Sequence, residues 1–167
     1  MNEQFAERVL GPLLLLQGLY TRWVTPRLPE ASGERQGQAG SGSPLRLLIG
    51  GDSAAAGVGA HTQDEALCGR LVAQLAGDYQ VDWTLWAQSG LNSLALLTLL
   101  EAQDAQPFDV ALLSIGVNDV TSRIRLEPWL ALQNSLLQLL RDKFGVHQLI
   151  VSPLPPMHTF ADSTDAM

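Results

Sequence analysis

Cysteine is nearly missing. Cys68 stands alone, so no disulfide can close within the chain and no zinc cluster can be built from thiolates. Positive charge is also scarce: 10 Lys and Arg face 17 Asp and Glu, a net charge of -7. A chain this acidic repels phosphate backbones, which removes nucleic acid from the expected partners. Long apolar runs are absent too. The best candidate, VLGPLLLLQGLY at Val9 to Tyr20, falls short of the ~20 residues that a spanning helix needs. Glu3 and Glu7 precede it where an export signal would be basic, and no A-x-A cleavage site follows. The run is expected to form a helix packed on the domain or lying on a membrane surface. The default location is cytoplasmic, with export or membrane association as the alternative.

What is present is a globular composition, 46% hydrophobic and 16% charged in 167 residues, enough for one domain with a sizeable core. An N-terminal helical segment is expected over 1–28. Pro29 to Pro44 reads PEASGERQGQAGSGSP, with four glycines and no apolar face to bury, and is expected to be a flexible linker over 29–44. The main domain then covers 45–160, followed by a tail at 161–167. Cys68 falls on an amphipathic helix and is expected to be a small buried apolar residue.

Within the domain, LRLLIGG at Leu45 to Gly51 is a short apolar run closed by glycines, as in a buried parallel strand. TQDE at Thr62 to Glu65 predicts a capping box, and Leu67, Leu71, Val72 and Leu75 carry a helix from it to Gly77. VDWTLWA at Val81 to Ala87 predicts a second strand, Ser93 to Glu101 a buried helix, and DVALLSI at Asp109 to Ile115 a third strand. Pro128 suits the first turn of a helix that runs to Gly145, and HQLIVS at His147 to Ser152 predicts a fourth strand. Trp83 and Trp86, an odd number of residues apart, must face opposite sides of their strand, so they cannot form one stacking platform. Trp23 and Trp129 read as core or interface. Alternating strands and helices imply a parallel sheet covered on both faces, a three-layer α/β/α fold. Ligands in such sheets bind beyond the carboxyl ends of the strands.

Three of those ends carry small and polar residues. The first strand is followed by GDSAAAGVG at Gly51 to Gly59, the second by QSGLNS at Gln88 to Ser93, and the third by GVND at Gly116 to Asp119. No G-x-G-x-x-G follows the first strand and no P-loop lysine is present, which argues against a nucleotide binder of the same topology.

In these three blocks and their spacing, residues 45–160 resemble the GDSL/SGNH hydrolases, with Ala54 where the namesake Leu often stands. The resemblance implies a flavodoxin-like fold with four strands here, the last family strand being missing. It implies a serine esterase with no cofactor and no metal. Ser53 would be the nucleophile. The backbone N–H of Ser53, the backbone N–H of Gly90 and the Asn118 carboxamide would form the oxyanion hole, a site that needs donors about 2.7–3.1 Å from the developing charge. A side chain at position 90 is expected to crowd the ligand where Gly does not. Asp52 and Asp119 are expected to hold their loops rather than serve as a triad acid.

The family's fourth block, Asp-x-x-His, is not found. Val58, Phe144 and Pro155 stand three residues before His61, His147 and His158. PLPPMHTF at Pro153 to Phe160 still resembles the relatives, and ADSTDAM after it does not, so a premature stop or frameshift is expected, with a natural minimal variant as the alternative. His61 is expected to be solvated and His147 structural. His158 falls on the site's edge, where Asp162 or Asp165 would orient it as a base, but in the relatives this position looks like substrate wall. A histidine from a partner chain is the other route. The expected substrate is a small ester, short-chain or aryl, because nothing in the chain reads as a lid. The competing expectation is a weak or inactive remnant that binds a ligand or self-associates, as a homo-oligomer, through a sheet edge left open by the missing strand.

Overall fold

Gly50 and Gly51 end the central strand, and the rest of the fold is arranged around it. The computed structural model describes Gln17, Tyr20, Pro26 and residues 28–154. The expected N-terminal helical segment, apart from those positions, and the 161–167 tail lie outside the described residues, as do Trp23 and His158.

The five strands are β1 (Gln36–Ala39), β2 (Ser43–Gly51), β3 (Tyr79–Ala87), β4 (Val110–Ser114) and β5 (Gln148–Val151). They form one sheet in the order β1-β3-β2-β4-β5. β2 pairs in parallel with β3 and with β4, and β4 with β5, giving the four expected parallel strands. Each of these runs close to its sequence prediction, the ends differing by one or two residues.

β1 is the correction to the sequence reading. It lies inside the stretch expected to be a flexible linker and pairs antiparallel with β3, Gln36 opposite Thr84 and Ala39 opposite Val81. The sheet therefore has five strands where four were expected. The residues QGQA bury no apolar side chain of consequence, but an edge strand needs only a neighbour's free N–H and C=O groups. Gly37 leaves room for the Trp83 indole, 3.2 Å from where a Cβ would stand.

The helices are α1 (Ser53–Ala56), α2 (Leu67–Leu75), α3 (Ser93–Glu101), α4 (Val117–Thr121) and α5 (Leu126–Phe144). Pro128 does lie in the first turn of α5, and Gly145 ends it in the left-handed conformation, with φ 62°. The capping box at Thr62 to Glu65 does not form. Ala66 caps α2 without a side-chain bond, and the Glu65 carboxylate accepts from the His61 N–H. The chain turns instead so that the Gln63 carbonyl accepts from Ala66 and Gly69, and the buried Gln63 amide donates to the carbonyls of Ala31 and Ala56. This turn satisfies the carbonyls of Gln63, Ala31 and Ala56 but leaves the buried Gln63 Oε1 without a partner among the described residues.

The core divides by strand parity. Leu47 and Ile49 of β2, with Val81, Trp83 and Leu85 of β3, face Ala55, Cys68 and Val72 of α1 and α2. Leu48, with Ala111 and Leu113 of β4, faces Leu96 and Leu100 of α3 and Leu136, Leu140 and Phe144 of α5. Trp86 belongs to this second face, packed edge-on to Phe108 with ring centroids 5.5 Å apart. The two tryptophans of β3 thus do sit on opposite faces. The architecture is the three-layer α/β/α arrangement that alternating strands and helices imply. From β2 the chain winds to β3 on one side and later to β4 on the other. The switch point is where β2 and β4 end.

Candidate active site

Ser53 is the first residue of α1, directly after β2. Asp52 caps that helix, its carboxylate accepting from the Ala54 N–H at 3.0 Å. An N1 residue has no intrahelical acceptor for its own N–H, so the Ser53 amide is available to a ligand. The Ser53 side chain is half-buried between buried Asp52 and exposed Ala54.

Backbone hydrogen bonds tie the three loops to one another. The Asp52 N–H donates to the Ser114 carbonyl at 3.0 Å, which joins the turn that carries Ser53 to the end of β4. The Gln88 N–H donates to the Gly51 carbonyl at 3.2 Å, joining it to the end of β3. A Cβ on Gly51 would collide with the Ser114 carbonyl oxygen, so glycine is what permits this approach. The Asn118 carboxamide then bridges the second and third loops, its Nδ2 donating to the Leu91 carbonyl at 2.8 Å. That bond uses one of two Nδ2 hydrogens and leaves the other for a bound oxygen.

Gly90 is exposed in the turn closed by the Leu91 N–H on the Gln88 carbonyl at 3.3 Å. Nothing lies within 4 Å of where a Cβ would stand, whereas φ is +84°, a conformation that costs other residues about 1–2 kcal/mol. Backbone conformation by itself favours glycine here.

Both aspartates act on the loops. Asp119, 2% exposed, accepts from the Ser93 N–H through both oxygens at 3.1 and 3.2 Å and from the Ser93 hydroxyl at 2.6 Å. Gln133 of α5 donates to the same hydroxyl at 2.6 Å. The Asn92 side chain caps α3 through the Ala95 N–H. α3 is thereby fixed to the short helix α4 that carries Asn118. Asp52 is 3% exposed; burial, with the nearby Asp119 charge, pushes its carboxyl above the ordinary range despite the Ala54 N–H. Burial also pushes the Cys68 thiol up to about 11, which suits an inert core residue.

Two residues unmarked by the sequence complete the edge. Glu30 accepts from the Ser89 N–H at 2.6 Å and from Arg35, and Arg35 donates to the Ala87 carbonyl. Both come from the stretch read as a linker. The only signal there was two opposite charges five residues apart, indistinguishable from solvated loop residues. His61 and His147 are exposed, and His147 opens β5 at the end of the sheet away from the site, its N–H on the Asp109 carbonyl. Among the described residues no group of three His, Cys, Asp or Glu side chains is arranged to hold a metal. An apolar cavity of about 300 Å³, lined by Val120, Ile124, Leu126, Trp129 and Leu154, adjoins Asp119.

Residues 50–166 match the model of the GDSL-like lipase/acylhydrolase family. No curated protein matches the chain. Among solved structures it is similar to Axe2, an acetylxylan esterase from Geobacillus stearothermophilus, at TM-score 0.54 and 21% identity, over 73% of this chain and 68% of that one. It is also similar, at TM-score 0.49 and 17% identity, to a member of the lipolytic G-D-S-L family from Veillonella parvula, over 64% of this chain and 56% of that one. At these identities the first likeness speaks for the fold.

Proposed function

The chain belongs to the GDSL-like lipase/acylhydrolase family, and from that premise we propose that it hydrolyses small carboxylic esters through an acyl-Ser53 intermediate. The observation that carries this reading is the set of hydrogen bonds joining the three loops at the switch point: Asp52 to Ser114, Gln88 to Gly51 and Asn118 to Leu91. The Ser53 oxygen attacks the ester carbonyl carbon and its proton passes to a base. The carbonyl oxygen becomes an oxyanion held by the Ser53 N–H, the Gly90 N–H and the remaining Asn118 Nδ2 hydrogen. The C–O bond to the alcohol breaks, the alcohol leaves with a proton, and water hydrolyses the acyl-Ser53 ester.

No base is assigned among the described residues. The Ser53 hydroxyl needs a base to take its proton, and His158, outside the described residues, is the candidate to be tested. Serine hydrolases that lack a triad member still exceed water by about 1000-fold to 10,000-fold, so Ser53-dependent turnover is measurable with or without that base. The test is p-nitrophenyl acetate hydrolysis by wild type, Ser53→Ala and His158→Ala, with and without added imidazole. The reading predicts turnover above the Ser53→Ala background, and in wild type alone an acceleration by imidazole beyond imidazole's own reaction with the ester. Loss on changing His158 would identify that residue as the base. Wild-type rates equal to those of a folded Ser53→Ala protein would end the proposal.

A second reading, an inactive self-associating module, draws support from β5. It stands at the sheet's end with its outer edge unpaired among the described residues, and Ile150 and Val151, on opposite faces, are 44% and 47% exposed. Gln148–Val151 carries no charge to guard that edge. A second copy pairing antiparallel along it would meet an equally uncharged strand.

A further inference from the structure

We propose that Glu30, held by Arg35, is a positioning residue that orients the Ser89–Gly90 peptide of the oxyanion loop. The proposal rests on the reading of Gly90 as an oxyanion donor. Gln88, Ser89 and Gly90 are all exposed, so this loop has almost no packing of its own. Gly90 has the widest backbone freedom of any residue. One side of the loop is fixed to β2 through the Gln88 N–H on Gly51. On the other side stands a closed polar clamp. The Glu30 Oε1 accepts from the Ser89 N–H at 2.6 Å, its Oε2 accepts from Arg35 Nη2, and Arg35 Nη1 donates to the Ala87 carbonyl, so that one ion pair spans Ala87 to Ser89. The clamp is itself anchored, because the Arg35 carbonyl accepts from the Leu85 N–H at 2.7 Å just before β1 joins the sheet.

This gives the polar strand β1 a task. It holds Arg35 at the carboxyl end of β3, where a free linker would leave it in solvent. Fixing the Ser89 N–H sets the plane of the peptide before Ser89, and the next peptide carries the Gly90 N–H. A donor mis-aimed by about an ångström can cost as much as 100-fold, and complete loss of one oxyanion donor costs about 100-fold to 1000-fold. Losing the clamp leaves the donor present but loosely aimed, so a smaller effect is expected.

Two measurements test it. The first follows the Ser89 and Gly90 amide signals by NMR across pH in wild type, Glu30→Gln and Glu30→Ala. Burial raises the Glu30 carboxyl, but the Ser89 amide and the Arg35 guanidinium outweigh it, and the net shift is downward. The Ser89 amide proton should therefore move with a midpoint below the ordinary Glu value of about 4.3. That movement should vanish in Glu30→Gln, and the Gly90 signal should broaden or shift in Glu30→Ala. The second compares p-nitrophenyl acetate kinetics. Glu30→Ala should lower kcat about tenfold with KM within about twofold. Glu30→Gln, whose amide oxygen can still accept from Ser89 but whose NH₂ cannot accept from Arg35, should recover part of the loss. A Ser89 signal indifferent to pH below 5 or so, or a Glu30→Ala kcat within about twofold of wild type, would overturn the proposal. If wild type shows no Ser53-dependent turnover, the esterase reading fails, and the NMR signals alone decide whether the clamp orients the loop.

Discussion

Replacing Ser93 by Ala removes one oxygen that holds two elements of the site together. The hydroxyl donates to the buried Asp119 carboxylate at 2.6 Å and accepts from Gln133 at 2.6 Å. Ser93 is itself fully buried, so water cannot take its place without moving α3. A hydrogen bond to a charged group contributes about 1.5–3 kcal/mol. The Gln133 amide, half-buried, can partly return to solvent and adds less. The Ser93 N–H keeps its two contacts with Asp119 and limits the damage. The expected loss is about 2–3 kcal/mol, which in a domain of this size lowers Tm by about 5–10 °C. Urea and thermal unfolding of the folded variant measure this directly. The same change should lower esterase turnover by more than it raises KM, since α4 carries Asn118. Stability within about 0.5 kcal/mol of wild type would refute the reasoning, because it would mean that the network holds nothing in place.

Asp52→Asn should be more stable than wild type at pH 7. The folded carboxyl has a raised pKa, so its stabilising contribution is present below the unfolded value of about 3.9 and lost as pH rises through the folded value. Asn keeps the cap without the charge; equal or lower stability at pH 7 in urea unfolding would contradict this. Gly90→Ala should cost about 1–2 kcal/mol through φ alone, with no cavity or clash to add to it, and a neutral result would remove the conformational argument. Cys68 should resist an aromatic disulfide reagent at pH 8 until the protein is unfolded, because it is buried and its thiol is raised to about 11; fast labelling of the native chain would contradict that placement. Ile150→Lys should convert any oligomer seen by light scattering to monomer, and an unchanged mass for an oligomer would clear β5 of that role.

The elements that bury apolar side chains were legible in the sequence, because burial writes a period into it. β2 to β5, α3 and α5 all follow from runs such as LRLLIGG and from Pro128 and Gly145 at a helix's two ends. The meeting of the candidate site's three blocks was legible for a related reason: each follows a strand, and parallel topology brings those strand ends together. Elements that rest on backbone groups left no such trace. β1 is QGQA, a strand held by the free edge of β3 rather than by a core. The capping box was outcompeted by Gln63, whose buried amide bonds to Ala31 and Ala56 cannot be read from spacing. The clamp of Glu30 and Arg35 depends on where β1 places them. The short helix α4 leaves no periodic signal within five residues.

The most direct test of the central claim is peptide mass spectrometry of the chain trapped in acid during p-nitrophenyl acetate turnover. An acetyl group on Ser53 in wild type, absent from Ser53→Ala and formed about 100-fold more slowly in Asn118→Ala, is the predicted result. Acetylation at other residues alone, or equal rates with and without the Asn118 carboxamide, would contradict it.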